Sequence, residues 1–97
     1  MQFDYVLCHY YPDGNASINW HNDKEALDSD VVSVSFGSQR YFRFRLIGKT
    51  KGWIDQFELE HGDVFHMLCG CQRKLEHCVP VQKRITEPRI NLTFRRV

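Results

Sequence analysis

The stretch Arg40-Tyr-Phe-Arg-Phe-Arg-Leu-Ile47 decides the fold class, because apolar and polar side chains alternate along it. Successive side chains of a β-strand point to opposite faces, so one face carries Phe42, Phe44 and Leu46. The other face carries Tyr41, Arg43 and Arg45. This alternation is typical of a strand with one side on the core and one side in water.

Short runs of the same kind, rich in β-branched and aromatic residues, make up most of the chain. They are Tyr5 to Tyr11, Ile18 to Asp23, Val31 to Phe36, Phe57 to Leu59, Val64 to Leu68, Cys78 to Val81 and Arg89 to Val97. Turn formers such as Pro12-Asp-Gly14, Gly37-Ser38 and Glu87-Pro88 separate them. We therefore predict an all-β jelly roll with little or no helix, in which only Lys24 to Asp30 could form a helical turn.

Length and composition exclude several classes of protein. The 97 residues predict a single domain spanning residues 1–97, and a net charge of +1 argues against nucleic-acid binding by bulk electrostatics alone. No apolar run approaches the roughly 20 residues that span a bilayer. The first residues, Met1-Gln-Phe-Asp-Tyr-Val-Leu7, lack the pattern of a secretory signal. We expect an intracellular monomer in the cytoplasm or nucleus, not secreted and without membrane contact, with reduced thiols at Cys8, Cys69, Cys71 and Cys78.

Two histidines and one aspartate suggest a metal site. On a strand, residues two apart share a face, so His21 and Asp23 would point the same way as Asn19, opposite to Ile18 and Trp20. Two histidines and one carboxylate hold Fe(II) and leave other coordination positions open. The third ligand would come from His77, at the start of the Cys78 to Val81 run. A histidine on a half-buried strand is, however, more often an ordinary hydrogen-bonded residue.

The last predicted strand separates polar from apolar residues completely. Ile90, Leu92 and Phe94 lie on one side, and Arg89, Asn91, Thr93 and Arg95 lie on the other. Burying two guanidinium groups is costly unless an anion binds there, and arginine binds carboxylates bidentately. Two interpretations remain open: an exposed edge strand, or an inward-facing strand that binds a dicarboxylate.

Together, several segments resemble the AlkB family of Fe(II)- and 2-oxoglutarate-dependent nucleic-acid dioxygenases, particularly its repair branch. They are Tyr11-Pro-Asp-Gly14, Trp20-His-Asn-Asp-Lys-Glu25, Val32-Ser-Val-Ser-Phe-Gly37, Leu59-Glu-His-Gly-Asp63 and Glu87-Pro-Arg-Ile-Asn-Leu-Thr-Phe-Arg95. The resemblance implies a double-stranded β-helix whose cofactor is Fe(II) and whose cosubstrates are 2-oxoglutarate and O2.

The resemblance also implies roles for individual residues. The iron ligands would be His21, Asp23 and His77. The 2-oxoglutarate site would comprise Arg89 and Tyr11 at the distal carboxylate, Asn91 and Arg95 near the chelating end, and His9, which replaces the family's usual Asn. Glu25 would accept a hydrogen bond from the base's exocyclic amine. Arg40, Arg43 and Arg45, on or beside the strand after Gly37, are candidates for phosphate contacts, and a solvated face is the alternative interpretation.

The activity that the resemblance implies is oxidative demethylation of N-alkylated bases such as 1-methyladenine and 3-methylcytosine. The products would be the repaired base, formaldehyde, succinate and CO2, and the substrate would be methylated single- or double-stranded nucleic acid. The methylated atom lies on the pairing edge, so the base must leave the stack to react. Family members carry a lid segment ahead of this core, and we expect a further segment or a partner protein to supply it.

Two other interpretations remain open at this stage. The first keeps the iron core but assigns a protein or small-molecule substrate, because a fold does not define its target. The second is a zinc-stabilised, non-catalytic binding module built on Cys69-Gly-Cys71, His66 and His77-Cys78.

Overall fold

The computed structural model describes residues 2–96, which form two four-stranded antiparallel sheets. The first sheet has the order β1-β8-β3-β6, with strands β1 (Tyr5–Tyr11), β8 (Arg89–Arg95), β3 (Val31–Gly37) and β6 (Val64–Met67). The second has the order β2-β7-β4-β5, with strands β2 (Ile18–His21), β7 (Leu75–Val79), β4 (Arg40–Leu46) and β5 (Asp55–Leu59). Most connections cross from one sheet to the other. The predicted all-β jelly roll is confirmed.

Helical structure is confined to two short segments. A 3-10 turn spans Lys24–Ala26, inside the segment where a helical turn was predicted, and helix α1 spans Cys71–Lys74. The sequence did not predict α1, because one turn is too short to show a helical period. Both segments lie beside residues of the functional site.

Several strand boundaries differ from the predicted ones. β2 ends at His21, so Asp23 lies beyond it, and β7 starts earlier than predicted, which places His77 inside the strand. β7 ends before Pro80, which has no N–H to continue a ladder. β8 ends at Arg95, and Val97, the predicted end of the last strand, lies outside the described residues.

The sandwich is filled by aromatic residues at one end. Ring centroids of Phe42 and Phe57 lie 5.3 Å and 5.0 Å from that of Phe65, and Phe44 stacks on Phe65 at 5.7 Å. Edge-to-face and offset contacts at these distances are favourable beyond the burial of apolar area. This packing fills part of the space between the sheets, and Phe42 also lines the cavity that remains.

The first sheet points its polar side chains inward. Ser35 of β3 lies opposite Asn91 of β8, and both are buried together with Arg89. The alternate residues Phe36 and Ile90 are paired across the outer face and are exposed. Of the two interpretations of the last strand, the structure supports the inward-facing one and excludes the exposed edge, since β8 lies between β1 and β3.

A glycine allows β3 to approach the start of β8. Gly37 has a φ of 97°, and a Cβ there would lie 2.4 Å from the carbonyl oxygen of Pro88. Only glycine combines this backbone conformation with such a close approach. Gly37 lies opposite Arg89 in the register and thereby fixes the end of β8 that carries this arginine.

Candidate metal centre and cosubstrate pocket

The three predicted metal ligands meet at one point. His21 ends β2 and lies directly opposite His77 of β7, while Asp23 follows β2 by two residues. Their potential ligand atoms all lie within 4.8 Å of one another. The Nε2 atoms of His21 and His77 lie 3.7 Å and 3.8 Å from Asp23 Oδ1. Among residues 2–96, this is the only group of three or more such side chains with geometry suitable for a metal ion.

Simple strand alternation does not explain how His21 and Asp23 converge. The register shifts between Ile18 and His21, so these two residues, three apart, line the same cavity, whereas Asn19 is exposed. The prediction that Asn19 shares the metal face and Ile18 avoids it is therefore wrong. Asp23 reaches the site because the chain turns there into the 3-10 segment.

A glutamine from α1 anchors the backbone at Asp23. Gln72 is 1% exposed, and its Oε1 accepts a hydrogen bond of 2.8 Å from the backbone N–H of Asp23. The backbone carbonyl of Gln72 accepts another, also 2.8 Å, from the Asn22 amide. These contacts fix the peptide that carries the carboxylate.

Both histidines direct Nε2 toward Asp23. His21 Nδ1 donates to the backbone carbonyl of Asn19 at 2.9 Å, which fixes the orientation of the ring. Burial, reinforced by the charges of His21 and Arg95, lowers the pKa of His77 to about 3. Two imidazoles and a carboxylate are the donor set that suits Fe(II). The residues present therefore fit this metal.

Arg95 links the metal centre to β8. Its Nη2 lies 3.1 Å from Asp23 Oδ1, and its Nη1 lies 3.6 Å from the carboxylate of exposed Glu25. Burial raises the pKa of Asp23, while the charge of Arg95 acts in the opposite direction. The guanidinium thus orients the Asp23 carboxylate and connects it to a surface acid.

A cavity of about 200 Å³ extends from these ligands along the inner face of β1 and β8. Its walls include the predicted metal ligands and all the predicted 2-oxoglutarate residues. Those 2-oxoglutarate residues are His9, Tyr11, Arg89, Asn91 and Arg95. The structure therefore brings the two predicted groups together in one cavity.

Arg89 is the strongest sign of an anion site in this cavity. It is 2% exposed, and its Nη2 donates a 3.0 Å hydrogen bond to Ser35 Oγ. Its Nε and Nη1 are buried without a hydrogen-bond partner, and its Cζ lies 5.1 Å from the ring centroid of Tyr11. A buried guanidinium with two unused donors is costly unless an anion accepts them.

Asn91 and His9 contribute differently to the pocket. The Asn91 amide donates to Ser33 Oγ at 2.6 Å, and its Oδ1 accepts from Thr93 at 2.8 Å, so its polar atoms are held within the sheet. His9 stacks on Tyr11 with ring centroids 4.6 Å apart. Burial and the charge of Arg89 lower the pKa of His9, which favours a neutral ring.

Arg40 does not lie where a phosphate could reach it, and the expectation that it contacts substrate is wrong. It is 1% exposed, and its guanidinium is hydrogen-bonded to protein acceptors around it. Its neighbours Arg43 and Arg45 point to the outer face of the second sheet. Their Cζ atoms lie 5.1 Å above Trp53 and 4.4 Å above Trp20.

Sequence reasoning missed Ser33, Ser35 and Gln72. The two serines alternate with valines on β3, so both point to the same face. They lie opposite Thr93 and Asn91 of β8, and the shared alternation of the two strands could have identified them. No signal pointed to Gln72, because a glutamine beside Arg73 and Lys74 resembles an exposed residue.

The cysteines do not assemble a zinc site. All four are free, and no cysteine belongs to the metal-binding group found in the described part of the chain. His66 instead pairs with Asp30, with Nε2 and Oδ2 2.9 Å apart. No helix among residues 2–96 is long and apolar enough to cross a membrane.

Comparison with known proteins agrees with this geometry. The chain is 38% identical to the DNA oxidative demethylase ALKBH2 of Bos taurus over 104 residues, covering 98% of this chain and 37% of that protein. It is 34% identical to the alpha-ketoglutarate-dependent dioxygenase alkB homolog 3 of Mus musculus over 105 residues, again covering 98% and 37%. The chain thus spans well under half the length of these relatives.

A solved structure and a family profile complete the comparison. The structure of OsALKBH1 superposes with a TM-score of 0.80 at 24% identity, covering all of this chain and 49% of that one, which confirms the fold. The profile of the 2OG-Fe(II) oxygenase superfamily matches residues 1–95. The predicted resemblance is confirmed, and the chain belongs to the 2OG-Fe(II) oxygenase superfamily.

Proposed function

We propose that this chain is the catalytic core of an Fe(II)- and 2-oxoglutarate-dependent dioxygenase that demethylates N-alkylated bases in nucleic acid. The observation that carries the proposal is the position of the His21, Asp23 and His77 cluster in the same cavity as Arg89. Neither feature alone defines the reaction. Together, the cluster would bind a metal and Arg89 would bind a dicarboxylate next to it, so that the two can react with each other.

His21, Asp23 and His77 would hold the iron. Three protein ligands leave the remaining coordination positions for 2-oxoglutarate and O2. When bound, the iron supplies oxidation of 2-oxoglutarate to succinate and CO2 by O2, with hydroxylation of the substrate's N-methyl group. The resulting hydroxymethyl amine releases formaldehyde and restores the base.

Arg89 would bind the distal carboxylate of 2-oxoglutarate. Its two unused nitrogens can donate to a carboxylate without displacing any protein partner, and the hydroxyl of Tyr11 would add a third donor. Asn91, His9 and Arg95 would complete the pocket between this end and the metal. Arg95 would also keep the Asp23 carboxylate oriented toward the iron.

Three features favour a nucleic-acid substrate. Glu25 is exposed next to Arg95 at the metal centre, where its carboxylate can accept a hydrogen bond from the exocyclic amine of adenine or cytosine. Arg43 and Trp53 offer charge and stacking on the outer face of the second sheet. The relatives are also named for DNA demethylation or the alkB homologue group.

A nucleic-acid substrate also implies an intracellular enzyme. We propose further that it acts as a monomer, with its lid supplied by another segment or protein.

Replacing the metal ligands tests the proposal. We expect His21→Ala and Asp23→Ala to lose both succinate formation from 2-oxoglutarate and formaldehyde release from oligonucleotides containing 1-methyladenine or 3-methylcytosine. The reason is that two remaining ligands no longer hold the iron in place. His66→Ala is the matched control, since this exposed histidine pairs only with Asp30, and its turnover should equal that of the wild type.

The two products separate the possible outcomes. Normal turnover in either metal-ligand variant would refute the metal assignment. Succinate formation by the wild type without formaldehyde from any methylated oligonucleotide would instead favour the alternative of a protein or small-molecule substrate.

A further inference from the structure

Arg40 is buried beside the cosubstrate pocket without an ionic partner. Its Nη2 donates to the carbonyls of Ala16 and Pro80 at 2.7 Å and 2.8 Å, its Nη1 to that of Asp13 at 3.2 Å, and its Nε to Gln82 Oε1 at 3.1 Å. All four acceptors are neutral. Within residues 2–96, no carboxylate lies within 4.0 Å of this guanidinium. The guanidinium is therefore held by neutral dipoles, and the Asp13 carboxylate acts on its charge from beyond salt-bridge distance.

Two buried guanidinium groups face the same tyrosine. The Cζ atoms of Arg40 and Arg89 lie 5.3 Å and 5.1 Å from the ring centroid of Tyr11. Tyr11 also pairs directly with Arg89 across β1 and β8. The ring of Tyr11 thus lies between two cations. Each nitrogen of Arg40 donates to a protein acceptor, whereas Nε and Nη1 of Arg89 have none.

The hydrogen bonds of Arg40 join the segments that carry these two residues. Asp13 and Ala16 belong to the turn that follows Tyr11, and Pro80 and Gln82 belong to the connection from β7 to β8 that leads to Arg89. The backbone N–H of Gln82 donates to the carbonyl of Gly14 at 2.8 Å, which closes the same junction. A shift of Arg40 would therefore move Tyr11 relative to Arg89.

We propose that Arg40 is a positioning residue for the distal carboxylate of 2-oxoglutarate. It fixes the Tyr11 ring beside Arg89, and its positive charge makes this end of the pocket more attractive to an anion without touching it. Charges act over longer distances in a protein interior than in water, so contact is not required. This inference rests on the proposed function, and it concerns only the distal end of the cosubstrate.

The test compares a ligand that reaches the distal end with one that does not. N-oxalylglycine has the chelating group and the distal carboxylate of 2-oxoglutarate, whereas oxalate has only a chelating group. We expect Arg40→Gln to weaken N-oxalylglycine binding to the Mn(II)-loaded protein about tenfold, the scale of one altered charge interaction, and to leave oxalate binding unchanged. Isothermal titration calorimetry measures both. In turnover, KM for 2-oxoglutarate should rise while kcat is retained.

Two further variants separate positioning from general stability. Arg45→Gln, on the outer face of the same strand and paired with Glu76, should leave both affinities unchanged. Arg40→Lys keeps the charge and should recover part of the lost N-oxalylglycine affinity. If Arg40→Gln does not fold, Gln82→Ala carries the test, because it removes the Nε acceptor and leaves Arg40 in place.

The results are decisive in each case. A selective loss of N-oxalylglycine affinity in a folded variant supports the proposal, and an equal change for both ligands, or none, overturns it. If the wild-type Mn(II) protein binds neither ligand, the proposed function fails instead.

Discussion

At the scale of single residues, His77 shows how burial prepares a metal ligand. Its ring is 4% exposed and packs against Phe42 and Phe44, with centroids 5.2 Å and 5.8 Å away. This environment lowers its pKa to about 3, so a lone pair remains available to a metal at neutral pH. The same burial leaves Nδ1 without a hydrogen-bond partner. The ligand is ready for the metal at a cost to the stability of the metal-free protein.

The lowered pKa of His77 predicts that the stability of the metal-free protein depends on pH. The folded pKa of His77 lies below the unfolded value of 6.5, so between these values the unfolded state binds more protons. Its contribution to stability is therefore present above pH 6.5 and is lost as the pH falls toward 3. Between pH 7 and pH 5, we expect the metal-free wild type to lose about 2 kcal/mol more unfolding free energy than His77→Gln.

Urea denaturation in the presence of a chelator measures this difference. Val64→Ala is the control, because it is an exposed substitution that removes no titratable group, and it should follow the wild type across the same range. Asp23 acts in the opposite direction, since its raised pKa stabilises the fold as the carboxyl takes up a proton at low pH. Parallel pH profiles for the wild type and His77→Gln would show that His77 is not held neutral.

At the scale of elements, strict alternation made β4 and β8 predictable. Along β8, and along β4 after Arg40, every second residue belongs to one chemical class, so the inward and outward faces could be assigned before any pairing was known. Composition identified β2 equally well, but its irregular register made Ile18 and not Asn19 share the face of His21. Such irregularities depend on the partner strand, and the partner cannot be read from a local pattern.

The metal ligands could be predicted from a motif, but their support could not. His21 and Asp23 form a recognisable spacing, whereas Gln72 reaches Asp23 across 49 residues through a helix of one turn. Arg40 was misjudged for a related reason. Alternation places it on the inward face with Phe42, but a charged residue at the start of a strand is usually exposed, whereas the tertiary structure surrounds it with backbone carbonyls.

The role of α1 leads to a prediction about Gln72. We expect Gln72→Ala to lower metal affinity about 10- to 100-fold, as is typical when a group that orients a ligand is removed. It should also destabilise the fold by roughly 1–3 kcal/mol, because the buried N–H of Asp23 loses its acceptor. Calorimetric titration with Mn(II) and urea denaturation measure the two effects.

The neighbouring residue provides a matched control for this prediction. Arg73 lies on the same helical turn, but its guanidinium bonds only the exposed carboxylate of Asp28. Arg73→Ala should therefore bind Mn(II) like the wild type. Equal Mn(II) affinity in Gln72→Ala and the wild type would mean that Asp23 does not need this support.

At the scale of the whole molecule, the two sheets contribute different halves of the site. His21 and His77 belong to the second sheet, and Asp23 follows one of its strands, whereas Tyr11 and Arg89 belong to the first sheet. The ion pairs from Arg95 of β8 to Asp23 and Glu25 link the two halves directly. A ligand that chelates the metal and also reaches Arg89 would connect the sheets a second time.

This division predicts that metal and cosubstrate stabilise the fold cooperatively. A ligand that binds only the folded state raises its stability according to its concentration and affinity, and coupling between two ligands is reciprocal. Mn(II) together with N-oxalylglycine should therefore raise the melting temperature by more than the sum of their separate effects.

Glutarate, which carries both carboxylates but has no oxo group for chelation, should raise it only additively with Mn(II). Thermal unfolding followed by circular dichroism distinguishes the two cases. Purely additive shifts with N-oxalylglycine would show that the metal and the Arg89 pocket do not share one ligand, and would contradict a single active site spanning both sheets.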